Sequence, residues 1–221
     1  MTSGAIMPER VSPVHAVVAA TATRWTTRNR MALAADFADM ARTALPVWLM
    51  DVSHRFRFGF KGAGAPAWCS AQGLTLPGAP NTWAQMQGGG LVGRLAFTEF
   101  YVEHEDEALV TRLTDALGRG VQMPAGGVYP VHRRDAGILL GGARAQDVLV
   151  QVCNVNFGAV DVGAMPLIMT LMVGVAVTVF PMIEGDQTVY RMACDPTFAP
   201  HLWSTLAEIA ADCGGASLVT L

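Results

Sequence analysis

Apolar and polar side chains alternate most regularly between Val52 and Phe60, where Phe56, Phe58 and Phe60 fall on one face of a predicted strand while Arg55, Arg57 and Lys61 fall on the other. Three phenylalanines on one face require a covering layer. The pattern then returns eighty positions later: the run from Phe58 to Trp68 aligns with the run from Ile138 to Val148. In each, a strand ends at a Gly-Ala turn that opens a helix. After the first helix come two apolar strand-like runs, Leu91 to Phe97 and Glu99 to Glu103, and an amphipathic helix from about Asp106 to Leu117. After the second come Leu167 to Phe180, Thr188 to Ala193 and a helix from about Pro196 to Asp212. The simplest fold class is therefore α+β, built on a duplicated β-α-β-β-α unit. Residues 1–46 read as an N-terminal extension, and 47–221 as an α+β domain with pseudo-repeats at about 50–118 and 128–213.

Local signals agree with these boundaries. Pro66 sits in the first turn of its helix and Gly73 closes it. Pro77 to Pro80 predicts a turn before Asn81-Thr82-Trp83, and Gly88-Gly89-Gly90 a loop. Glu105, Asp106 and Glu107 crowd a helix N-terminus, where the dipole favours acids, and Leu109, Leu113 and Leu117 line one face of that helix. The Gly-rich segment from Gly118 to Gly127 is the natural joint between halves. Asp195-Pro196 reads as a helix cap followed by a first-turn proline, and Phe198, Leu202, Leu206, Ile209 and Cys213 as the buried stripe of the last helix. In the extension, Val14 to Ala20 is apolar, and Met31, Ala34, Phe37, Met40, Ala41 and Ala44 recur at helical spacing.

Composition sharpens the picture. Only 15% of the 221 residues are charged and mean hydropathy is +0.34, against about a quarter charged in ordinary soluble domains. Either part of the chain lies in a bilayer or partner subunits cover much of its apolar surface. The uncharged stretch from Val162 to Ile183 is long enough to span. Pro166 and Pro181 flank it, Val and Thr fill it, and the acidic turn Glu184-Gly185-Asp186 follows, so it reads instead as a buried strand leading into a hairpin. Neither a signal peptide nor a membrane anchor is expected at the start. Net charge is −3, and no basic run interleaved with aromatics favours nucleic acid. Cys69, Cys153, Cys194 and Cys213 lack CxxC spacing, so free thiols and a cytoplasmic location are expected.

The candidate motifs thin out on inspection. Gly62-Ala63-Gly64-Ala65-Pro66-Ala67 matches G-x-G-x-x-A between a strand and a helix, but no Asp or Glu occurs from Val52 to Thr98 to hold a ribose, and the second copy has Arg144 at the middle glycine. Tight turn geometry explains it better. His15, His54, His104, His132 and His201 are scattered, with no metal-ligand spacing. His54-Arg55 and His132-Arg133-Arg134-Asp135 hold similar places before the repeated strand; a solvated strand entrance is the plainer reading and a shared polar edge the sharper one. No serine sits in a nucleophile elbow, and Cys153 reads as a small buried hydrophobe. No residue is assigned a catalytic, cofactor-binding or metal-ligating role.

Taken in order, Arg57-Phe58-Gly59-Phe60-Lys61-Gly62-x-Gly64-Ala65-x-x-Trp68, Pro80-Asn81-x-Trp83, Gly93-Arg94-Leu95-x-x-x-Glu99-Phe100, Met169-Thr170-Leu171-Met172-x-Gly174-Val175-Ala176-Val177 and Cys194-Asp195-Pro196-Thr197-Phe198-Ala199-x-x-Leu202-Trp203 resemble the gamma subunit of heterotetrameric sarcosine oxidase. The family includes the corresponding small subunit of N-methylglutamate dehydrogenase. The resemblance covers roughly Val52 to Ala210. It implies a fold similar to the folate-binding domain of aminomethyltransferase, and a non-catalytic structural subunit of a flavin-dependent complex that demethylates a secondary N-methyl amino acid. Its partners would be alpha, beta and delta subunits, which carry NAD, tetrahydrofolate, FAD, FMN and zinc; this chain would bind none of these cofactors. Many gamma subunits have an Arg-Ser-Phe-Ala segment where this chain has Asp195-Pro196-Thr197-Phe198-Ala199, a departure that bears on the amine rather than on the class. The fold likeness also raises an alternative, a stand-alone folate-dependent methyl or aminomethyl transferase, for which Glu99 and Asp135 are the available carboxylates. The Phe56 strand and the N-terminal arm are the expected contacts with partners.

Overall fold

A computed structural model of the protein describes residues 9–35, 45–118 and 127–218. The extension contributes β1 (Arg10–Val11), α1 (His15–Val18), β2 (Trp25–Arg28) and β3 (Met31–Ala34). The first half follows with β4 (Trp48–Asp51), β5 (Phe56–Lys61), α2 (Ala65–Ala71), β6 (Thr82–Gln85), β7 (Leu91–Ala96), β8 (Glu99–His104) and α3 (Glu107–Gly118). The second repeats that order with β9 (Tyr129–Val131), β10 (Ala136–Gly141), α4 (Ala145–Val152), β11 (Ile168–Met172), β12 (Val175–Glu184), β13 (Gln187–Cys194) and α5 (Ala199–Asp212), and ends in β14 (Ala216–Leu218).

The duplication predicted from sequence is present, with one feature that periodicity could not show. The sheets run β6-β7-β8-β5-β9 and β11-β12-β13-β10-β4-β14. Each half's leading strand therefore crosses over. β4 pairs antiparallel with β10, Asp51 opposite Ile138, and β9 pairs antiparallel with β5, Val131 opposite Gly59. Each half thus completes the other's sheet. At the opposite edge, Thr82 bridges Pro166, and the Trp83 indole donates to the Pro181 carbonyl at 3.2 Å, tying the sheets together again.

Burial follows strand alternation. On β8, Phe100 and Val102 point to one cluster and Tyr101 to another; on β4, Leu49 faces one way and Trp48 and Met50 the other. The result is four layers. Helices α2 and α3 cover the Phe58, Phe60 and Phe100 face of the five-stranded sheet, where Phe60 and Phe100 stack at 5.0 Å. Helices α4 and α5 cover the outer face of the six-stranded sheet, and the two inner faces meet through Trp48, Leu91, Tyr101, Leu139 and Phe180. Each fully buried aromatic in these layers is worth about 1.5–3 kcal/mol of apolar transfer.

The repeated glycines are explained by the crossover. Gly62 and Gly142 have φ of 126° and 103°, and a Cβ on either would lie 1.9 Å from the Gly127 carbonyl oxygen or 2.4 Å from that of Pro46. Those carbonyls belong to the segments leading into β9 and β4. The Gly-Ala turn is therefore closed by the chain's own backbone.

Several expectations need correction. The run from Leu167 to Phe180 is not one strand: Val173 and Gly174, both at positive φ, make a two-residue turn between β11 and β12. The turn places Met172, Val175, Val177 and Val179 against the helices. Asn81-Thr82-Trp83 leads into a further strand, β6. The helical stripe expected from Met31 is a strand at its start, because Asn29 and Arg30 at positive φ turn β2 back onto β3; Phe37, Met40, Ala41 and Ala44 lie outside the described residues, as does most of the Gly118 to Gly127 joint. Asp195 does not cap the last helix. Its carboxylate accepts from the Thr197 amide and hydroxyl, and α5 begins at Ala199 with Phe198 exposed, while Leu202, Leu206 and Cys213 are buried as expected. The Phe56 strand lies inside its sheet, between β8 and β9, with Phe58 and Phe60 consumed by the chain's own core. Among the described residues no helix is long and apolar enough to cross a membrane, and the Val162 to Ile183 stretch forms 3-10 turns and the β11-β12 hairpin.

Candidate functional site

The polar residues of the inner layer converge where the two halves face each other. Arg57 and Glu103 are opposite residues of β5 and β8; the corresponding pair in the other half is Gly137 and Ala193. Small residues on one side make room for the ion pair on the other. A Cβ on Gly137 would stand 2.1 Å from the Arg57 guanidinium.

Arg57, with a side chain 2% exposed, donates from Nε to Glu103 Oε2 at 2.7 Å and to the Tyr101 hydroxyl at 2.9 Å. Its terminal nitrogens donate to the carbonyls of Val52, Ser53, Arg55 and Asp135 at 3.0–3.3 Å. Glu103 also pairs with Arg191 at 3.1 Å and Arg55 at 3.4 Å. Burial alone would push the Glu103 carboxyl upward. Arg57, Arg191 and Arg55 overcome it and hold the pKa at about 2. Both carboxylate oxygens are engaged, so Glu103 stays ionised at neutral pH and has no free lone pair directed at a substrate. Its role is to hold the guanidiniums in place.

Around this centre other groups are tuned by burial. Asp51 accepts from the Ser12 hydroxyl at 2.5 Å and the Ser53 amide at 2.9 Å, and burial raises its pKa against those bonds. His54, 3% exposed, has no hydrogen-bond partner on either ring nitrogen; burial, then Arg55, Arg28 and Arg57, lower its pKa to about 3. It is a neutral imidazole. Burial raises the Cys69 thiol to about 11 and the Cys194 thiol to about 12, which disfavours thiolate chemistry. Cys153 is buried at the end of α4, with Thr170 Oγ1 3.4 Å from its sulfur.

Two cavities flank the cluster and share Arg55. One, of about 340 Å³, lies beside Arg191 and the Gly88-Gly89-Gly90 loop. The other, of about 570 Å³, lies where Arg10 of β1 approaches Ser53, Arg133, Arg134 and Asp135. The segments preceding the repeated strands do come together, forming the shared polar edge. Within them His54 turns inward and His132 is exposed. Of the two carboxylates considered for a folate pocket, Glu99 is tied to Arg133 at 2.9 Å, whereas Asp135 lines the larger cavity with its Oδ2 unpartnered. The Arg57, Glu103 and Arg191 centre was not anticipated. A signal existed: aligning the repeats sets an arginine against Gly137 and a glutamate against Ala193, the signature of charge packed on a small-residue surface.

An α+β sandwich with a duplicated, strand-exchanged unit and a buried ionic seam defines the fold class. No family model matches the chain, and no curated protein matches it. Among solved structures it is similar to a chain of the heterotetrameric sarcosine oxidase from Corynebacterium sp. U-96, at a TM-score of 0.66 and 23% identity over 94% of this chain and 97% of that one. It is also similar to glycine cleavage system aminomethyltransferase T from Bartonella henselae, at a TM-score of 0.71 and 13% identity over 89% of this chain and 56% of that one. At these identities the likeness establishes the fold, and the expected α+β class with its aminomethyltransferase-like duplication is borne out.

Proposed function

We propose that the chain is a non-catalytic structural subunit of a heteromeric, flavin-dependent amine-oxidising complex of the sarcosine oxidase or N-methylglutamate dehydrogenase type, whose substrate is a secondary N-methyl amino acid. The observation that carries this reading is the two-way coverage: the chain matches a sarcosine oxidase chain end to end, but just over half of aminomethyltransferase T. A match over nearly the whole of one chain of a heterotetramer supports reading this chain as one component of an assembly. The motifs resembling the gamma subunit support the same assignment, with alpha, beta and delta subunits as partners and the flavins, NAD, tetrahydrofolate and zinc held by them.

The surface supports it too. Met169 and Leu171, 54% and 62% exposed, share one face of β11, the edge strand of the six-stranded sheet. Such an apolar edge is a hazard for a protein alone and an asset under a partner. At the seam, Glu103 is occupied by three arginines, which serves rigidity rather than proton transfer.

A transferase reading draws on one observation, the unpartnered Asp135 oxygen in the larger cavity. Titrating the purified protein with tetrahydrofolate separates the two. Micromolar binding to this chain without partners favours the transferase; no binding, together with recovery of flavoprotein subunits on a tagged chain, favours the structural subunit.

A further inference from the structure

We propose that the cavity walled by Arg10, Arg133, Arg134 and Asp135 is a binding site for a small organic anion, a compact molecule carrying a phosphate or carboxylate group. The volume of about 570 Å³ falls within the range of small-molecule sites. Five arginines line the cavity, Arg10, Arg55, Arg57, Arg133 and Arg134, against a single acidic residue, Asp135, although the Arg57 guanidinium is turned into the seam. Three of the five have counter-ions behind them: Glu103 for Arg55 and Arg57, and Glu99 for Arg133.

For Arg10 no ion pair falls among the described residues. Among the described residues it donates to the carbonyls of Asn29, His54 and Ser53 and lies 5.0 Å above the Phe56 ring. Burial, then Arg57 and Arg30, work against its charge, and Glu107 favours it more weakly. For Arg134 no ion pair falls among the described residues. A planar guanidinium held by neutral carbonyls, with only a distant carboxylate to offset it, is well suited to bind an oxyanion.

Among the described residues, Arg55 Nε, Arg133 Nε and Asp135 Oδ2 are sealed from solvent with no hydrogen-bond partner. Such sealed atoms lie behind the cavity surface, and the Asp135 oxygen repels an anion rather than accepting from it. The remaining wall, Val11, Pro13, Met31, Phe56 and Pro196, is apolar and gives the body of the molecule a surface to pack on.

The test is calorimetric titration of the full-length protein, in the assembly with which it purifies, using inorganic phosphate and succinate separately at low ionic strength. One probe binds at one equivalent per chain, and the stronger one tells whether the site prefers phosphate or carboxylate. Arg134→Gln, at an exposed position, and Arg10→Gln each weaken binding about tenfold, the loss of one charge-assisted bond. Asp135→Asn tightens it, because a like charge leaves the wall. Thermal melts establish that each variant is folded. Absence of binding by either probe at roughly 10 mM, or binding that is unchanged in both arginine variants and in Asp135→Asn, overturns the proposal.

Discussion

Replacing Arg57 with Met removes the guanidinium but keeps a side chain of similar length in the seam. Glu103, 2% exposed, then retains Arg191 at 3.1 Å, Arg55 at 3.4 Å and the Tyr101 hydroxyl at 3.2 Å, and the carbonyls of Val52, Ser53, Arg55 and Asp135 lose a donor. Breaking a buried pair from one side costs about 3–5 kcal/mol, because the remaining charge stays in a medium that solvates it poorly. For a chain of this size that corresponds to a fall in Tm of roughly 6–20 °C. The assay is thermal and urea unfolding of wild type, Arg57→Met, Glu103→Leu and the double variant in the same assembly. Because Arg57 and Glu103 interact directly, the two costs are not additive in the double variant, although recovery is partial, since Glu103→Leu also deprives the buried Arg191 of its carboxylate. The pH dependence gives a second reading. The folded-state pKa of Glu103, about 2, lies below its ordinary value of 4.5, so its contribution is complete above that value and fades as pH falls toward 2. In Glu103→Leu that part of the acid sensitivity disappears. A single-variant cost under about 1 kcal/mol, or costs that simply add in the double variant, would refute the assignment of the seam as an electrostatically locked centre.

Other outcomes follow from the same structure. His54 folds as a neutral ring with a pKa of about 3 against an ordinary 6.5. The unfolded chain therefore takes up a proton that the folded chain refuses, and stability drops as pH falls from 6.5 toward 3; His54→Phe flattens the slope of denaturation midpoints there by up to about 1.4 kcal/mol per pH unit. Gly62→Ala places a Cβ 1.9 Å from a backbone oxygen and lowers stability by roughly 3 kcal/mol or more. Gly174→Ala, also at positive φ but with nothing within 4 Å, costs about 1 kcal/mol in the same melts. Met169→Glu with Leu171→Glu, at exposed positions of β11, leaves the melting temperature of the chain within about 2 °C but reduces recovery of partner subunits in affinity purification.

The duplicated body was legible because its periodicities are local. Phe56, Phe58 and Phe60 declare a buried strand face, and the recurrence of the Gly-Ala turn at Gly62 and Gly142 marks equivalent positions whose positive φ values are now explained. The crossover of β4 and β9 was not legible, since strand partners are set by contacts far apart in sequence and leave no mark on either strand. The Val173-Gly174 turn was hidden because Val strongly disfavours positive φ, so the two strands read as one. The seam was misjudged for a related reason. Alternation places Arg55 and Arg57 opposite the phenylalanines, which normally means solvent. Here that face meets a second sheet, and only the small residues Gly137 and Ala193 in the other half reveal that the arginine is buried.

The most direct test of the central claim is affinity purification of the tagged full-length chain expressed with the genes that neighbour its own, followed by assay of flavin content and oxidation of N-methyl amino acids. The account predicts that the chain brings down flavin-bearing partners with the activity, and that the chain separated from them has neither flavin nor turnover. Amine oxidation or a tightly held flavin on the isolated chain would contradict it.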